Sequence, residues 1–147
     1  MDRRHFILSV PPVLAGVLGG GLLVTLPSPV LADTDRIREV IEACLGCVRA
    51  GDACVAHCAM MLGNGDTSMA DCNKAVHNML ATCRAMADIA SYGTASPANL
   101  KALAAACASF CRACEKACEP HAGHHEACKA CMESCHRCAR ACEALAA

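Results

Sequence analysis

Residues 128–142 read CKACMESCHRCARAC, and the steps from cysteine to cysteine are 3, 4, 3 and 4. That spacing is the repeat of one face of an α-helix. Every inward position of a heptad-like stripe is then a thiol where leucine would normally stand. The opposite face carries Glu126, Lys129, Glu133, Arg137, Arg140 and Glu143, whose mixed signs are those of a solvated outer surface. Similar ladders run upstream. The fifteen cysteines are Cys44, Cys47, Cys54, Cys58, Cys72, Cys83, Cys107, Cys111, Cys114, Cys118, Cys128, Cys131, Cys135, Cys138 and Cys142. Rows of thiols facing one interior predict a metal-binding core.

Disulfides are the first rival reading. Residues three or four apart on a helix hold their Cβ atoms roughly 5–6 Å apart, whereas a disulfide needs about 3.8 Å. Neighbours on one helix therefore cannot bridge without breaking it, although two thiols readily share a metal ion. A helical hairpin stapled by cross-helix disulfides is the remaining form of this alternative. An odd number of cysteines in continuous rows speaks against it.

The first 32 residues read as a leader, with Arg3-Arg4-His5-Phe6-Ile7-Leu8 in the style of a twin-arginine export signal. An apolar stretch runs to Leu26, and Val30-Leu31-Ala32 offers small residues for cleavage before Asp33. The competing reading is an uncleaved anchor, against which Pro11, Pro12 and four glycines argue. Export in the folded state would shield the thiols from an oxidising compartment, so the expected location is periplasmic or extracytoplasmic. Residues 33–147 form the expected single domain. Of 13 Lys+Arg and 14 Asp+Glu, Arg3, Arg4 and Asp2 fall in the leader, which leaves a charge of −2 and no basic run. Nucleic-acid binding has no footing. The domain holds only Tyr92 and Phe110 as aromatics and no Trp, and its abundant alanine favours helix.

Four helices are predicted. The first runs from an Asp33-Thr34 cap to Leu62, stopped by Gly63-Asn64-Gly65-Asp66. Thr67 or Ser68 caps the second, which ends at Ser91-Tyr92-Gly93. Ser96-Pro97 opens the third and Pro120 closes it, while the fourth starts near Gly123. Short connections between long helices give an all-α, antiparallel four-helix bundle with a cysteine-lined core. One end gathers Ile37, Ile41, Ile89, Tyr92, Leu100, Leu103 and Leu145 as an apolar plug. The other gathers His57, Met60, Met61, Met69, His121, His124 and His125 as a mouth ringed with soft or borderline ligands. Met79 and Met86 read as core filler, and His77 and His136 as surface residues. His121, His124 and His125 read equally as a solvated loop or as transient capture groups.

Thiolate-rich interiors choose among Cu(I), Zn(II) and iron–sulfur clusters. Covalent haem is excluded because no CxxC motif is followed by His. Iron–sulfur clusters favour cysteines on wrapping loops, and zinc favours closed sets of four, which two helices donating a pair each would supply. Cu(I) accepts two or three thiolates, and bridging thiolates allow a continuous multi-copper array. Thioethers at the mouth favour Cu(I).

At this point the chain resembles the exported copper storage proteins, through the twin-arginine leader, the inward CxxC and CxxxC ladders and the His/Met-ringed end. The resemblance covers the whole of residues 33–147. It implies a bundle that stores many Cu(I) ions on its fifteen cysteines, for supply to copper enzymes and for detoxification, usually as a homotetramer. It also implies accessory ligands at the open end, which fall on His57, Met61 and Met69. Helix two, with only Cys72 and Cys83, is the thin wall. A zinc-thiolate protein is the alternative. A catalyst is disfavoured: a thiol oxidoreductase needs an exposed cysteine at a helix N-terminus, and a copper enzyme needs a few defined ligands. No enzymatic role and no nucleic-acid partner are expected, and the client cuproenzyme or chaperone is not readable.

Overall fold

The computed structural model describes residues 29–147, with side chains from Asp33 onward; the leader motif at Arg3 and Arg4 lies outside the described residues. Helices α1 (Pro29–Gly63), α2 (Ala70–Tyr92), α3 (Pro97–Cys118) and α4 (Glu126–Ala146) form the predicted bundle. Each helix packs on two neighbours, in the order α1, α2, α3, α4 and back to α1. The square leaves one central column, and the four ladders line it.

Punctuation explains the turns. Gly65 adopts φ +87°, the Asp66 N–H donates to the Met61 carbonyl (3.0 Å) and the Gly65 N–H to that of Leu62 (3.0 Å). These two bonds satisfy the orphan carbonyls of α1 and reverse the chain. The expected cap at Thr67 or Ser68 is corrected: Asp66 accepts from the Ser68 N–H (3.0 Å) and starts a 3-10 turn over Thr67–Met69 that leads into α2. A carboxylate accepts that bond better than a hydroxyl does. Gly93, at φ +64°, ends α2, and the Ser96 hydroxyl accepts from the Asn99 N–H ahead of Pro97. A second 3-10 turn at Glu119–His121 delays α4 to Glu126, three residues past the expected Gly123.

Two further expectations change. Helix α1 begins at Pro29 rather than beyond Asp33, with proline at its first position. At the far end Ile89 and Tyr92 are 36% and 69% exposed, so they do not belong to the plug. On a helical wheel Ala90 falls about 20° from Cys83 and Ile89 about 120° away; the inner face of α2 accordingly continues through Met86 to Ala90. Val40, Met86, Ala104 and Leu145 close this end, and beyond them Ile37, Leu100 and Leu145 share the walls of a pocket of about 380 Å³.

Candidate metal centre

All fifteen cysteines are free, and each is 0% exposed. The antiparallel pairing of α1 and α4 sets Cys44 against Cys138 and Cys47 against Cys135, both at 3.5 Å between sulfurs, and Cys54 against Cys128 at 3.9 Å. From α2, Cys83 reaches Cys111 (3.6 Å), Cys107 (3.7 Å) and Cys138 (3.9 Å). Nearer the mouth, Cys72 reaches Cys118 (3.5 Å), Cys58 (3.8 Å) and Cys54 (3.9 Å). These shortest sulfur contacts join different helices, while same-helix neighbours such as Cys54 and Cys58, or Cys131 and Cys135, lie within 4.8 Å of each other. The reason is geometric: an inward thiol leans over the column axis, closer to a facing helix than to its own next turn.

The thiols gather into groups whose sulfurs lie within 4.8 Å of one another. Cys44, Cys83, Cys107 and Cys138 form one, and Cys47, Cys83, Cys111 and Cys138 the next. Cys54, Cys58, Cys72 and Cys128 lie at the mouth; Cys54, Cys118 and Cys131, and Cys114, Cys131 and Cys135, connect the two regions. Cys54, Cys83, Cys131 and Cys138 each belong to two groups. Closed zinc sites use separate sets of four, whereas shared members suit bridging thiolates, the pattern of a copper chain.

Crowded thiols ionise unequally. Hydrogen bonds from Cys118 and then Cys54 hold the Cys72 thiol far below its ordinary range. Burial, and then the negative charge of Cys72, push Cys58 up to about 12 and Cys128 up to about 11. One proton therefore leaves such a cluster easily and the others stay until a cation replaces them.

At the mouth, His125, whose role the sequence leaves open between a solvated loop and a capture group, faces His57. His57 Nε2 lies 2.9 Å from His125 Nδ1, and the His121 ring sits 6.3 Å from that of His125. His125 occupies the N-cap position of α4 without capping it, so its ring is available to α1. Met61 is half-buried against the core and Met69 is buried in the 3-10 turn, while His124 is exposed. His77 and His136 face outward as expected. His136 is nonetheless held by Glu115 (2.8 Å), which Arg112 also grips while clasping Glu143 through two bonds (2.9 and 3.0 Å).

The sequence model for copper storage proteins matches residues 33–147. The chain belongs to this family. It binds and stores copper in a cysteine-lined bundle, with several ions per chain. A copper storage protein of Streptomyces lividans, solved with 10 copper equivalents, is 34% identical and superposes with a TM-score of 0.72, covering 84% of this chain and 94% of that one. The same organism's cytosolic copper storage protein, solved with five coppers, gives 34% identity and TM-score 0.72 over 78% of this chain and 95% of the other. A copper-free Bacillus subtilis copper storage protein is 26% identical with TM-score 0.64, over 75% and 98% respectively. No curated protein matches the chain.

These neighbours correct the expected location. A periplasmic or extracytoplasmic placement rested on Arg3, Arg4 and the apolar run behind them, whereas the Streptomyces lividans neighbour is cytosolic, which points to the cytoplasm. The chemistry accords with that correction, because a reducing compartment keeps fifteen thiols competent for metal without folded export.

Proposed function

We propose that residues 33–147 are a cytoplasmic Cu(I) store, in which all fifteen cysteines are ligands and His57, Met61 and Met69, joined by His125, pass ions through the open end. The observation that carries this reading is the overlap of the thiol groups, with Cys54, Cys83, Cys131 and Cys138 each shared by two of them. Sharing joins the five groups into two arrays, which the Cys47–Cys135 contact (3.5 Å) links end to end, and soft thiolates favour Cu(I) over harder ions. A storage role without catalysis fits cysteines that are all fully buried, since a redox-active thiol needs exposure. Ions would pass to a cuproenzyme or a copper chaperone, and the family resemblance supports a homotetramer, which light scattering after size exclusion would test.

Anaerobic titration with Cu(I) against a chromophoric chelator tests the store. Unshared thiolate pairs would hold about seven ions and bridging ones about fifteen; the expected saturation lies near the higher figure. Parallel titration with Zn(II) should give weaker binding and fewer ions. Saturation at one or two Cu(I) per chain would sink the storage reading.

A further inference from the structure

The ladder of α1 lacks one rung. Steps of 3, 4, 3 and 4 from Cys44 place a thiol at position 51, between Cys47 and Cys54, and Gly51 stands there. On α2 the two rungs between Cys72 and Cys83 are Val76 and Met79. Two adjacent walls of the column thus lack thiols at mid-height, where α3 and α4 supply Cys114, Cys131 and Cys135. Gly51 is buried, and a Cβ there would lie 2.7 Å from Met79 Cε and 2.8 Å from Leu80 Cδ2. The space left by the missing side chain is filled by the end of Met79. That position brings Met79 Sδ to 3.4 Å from Cys47 Sγ, with Met79 itself 0% exposed.

We propose that Met79 is a Cu(I) ligand inside the store, forming with Cys47 a mixed thioether–thiolate site at the height where α1 carries Gly51. A methionine that only fills space needs no particular direction for its sulfur. Here the thioether accepts the Cys47 thiol hydrogen bond, and Cys47 already belongs to a four-thiol group. A thioether is soft enough for Cu(I) yet neutral. It completes an ion's coordination without adding another negative charge to a dry core, where each uncompensated charge is costly. The site bridges the gap in the α1 and α2 walls and keeps the array continuous from the mouth to Cys44.

The inference rests on the storage reading, and the test separates the two. Wild type, Met79→Leu and Met86→Leu are loaded anaerobically with Cu(I) and titrated against a chromophoric chelator. Leucine conserves volume while removing the donor, and Met86, equally buried, controls for loss of a core methionine. Met79→Leu should hold about one Cu(I) per chain fewer than the other two, with the tightest-bound ions retained. In loaded wild-type crystals, anomalous scattering at the copper edge should place an ion bonded to both Met79 Sδ and Cys47 Sγ. If wild type loads many ions and Met79→Leu gives the same count and the same chelator curve, Met79 is filler and the inference is overturned. If wild type saturates at one or two ions, the storage reading falls and this site with it. Should Met79→Leu fail to fold by circular dichroism, the wild-type anomalous map decides, with an ion at Met79 supporting the site and none overturning it.

Discussion

The imidazole of His125 does not cap the helix it starts; it turns to His57, 2.9 Å away. His57 comes forward as an accessory ligand through the family resemblance, whereas the sequence places His125 at the same end with its role open, because spacing carries no directional signal in a turn. Their joint replacement by alanine, with Met61→Leu and Met69→Leu, should slow Cu(I) exchange with a chelator about tenfold. Capacity should fall by no more than one or two ions, as stopped-flow traces and end-point titration would check. Unchanged rates with sharply reduced capacity would place these side chains in the store rather than at its mouth. Within the column, residues differ by how many neighbours they serve. Cys83 belongs to two thiol groups, so Cys83→Ser should remove about two ions, and Cys142→Ser, at the last rung of α4, about one. Equal losses from the two variants would argue against bridging.

At the scale of the helix, the ladders fixed which face turns inward, and the thiols therefore appear where periodicity put them. What the sequence could not supply was registry between helices, because the separation of facing residues depends on packing rather than on spacing. Hence Cys44 with Cys138, Cys72 with Cys118 and the notch at Gly51 emerge only when the helices meet. The Ile89 error differs in kind, since the wheel of α2 carries the inner face from Cys83 to Ala90 and leaves Ile89 about 120° away. Gly51→Ala would force Met79 and Leu80 aside, an overpacking cost of about 1–3 kcal/mol against about 1 kcal/mol gained in helix propensity. A lower apo melting temperature is expected, and an unchanged or higher one would mean that the notch is loose. On the outer face, Arg112 joins α3 to α4 through Glu143 while sharing Glu115 with His136. Arg112→Ala should lower apo stability by about 1 kcal/mol or less, measured by denaturant titration, because these groups remain half-exposed.

For the whole molecule, the thiols tie stability to pH in opposite senses. Cys58 and Cys128 titrate at about 12 and about 11 in the fold, above their ordinary value of 9.0. Their neutral forms thus stabilise the apo bundle below pH 9, and that contribution is lost as pH rises toward 11 and 12. Cys72, lowered to about 3, contributes above its ordinary value, and its share fades as pH falls from 9 toward 3. Calorimetry of reduced apo-protein should show the melting temperature declining through the alkaline range. The copper-loaded form should stay level there, because its thiolates have already exchanged protons for metal; a parallel decline in both forms would detach the effect from the thiols. One feature of the architecture also gives the store a memory. If ions enter past His57, as proposed above, a column closed at its far end by Val40, Met86 and Leu145 would behave as a single-file stack. Two copper isotopes loaded in succession should therefore leave in reverse order, the later arrival first, so that the oldest ions form a slow reserve and the newest a fast one.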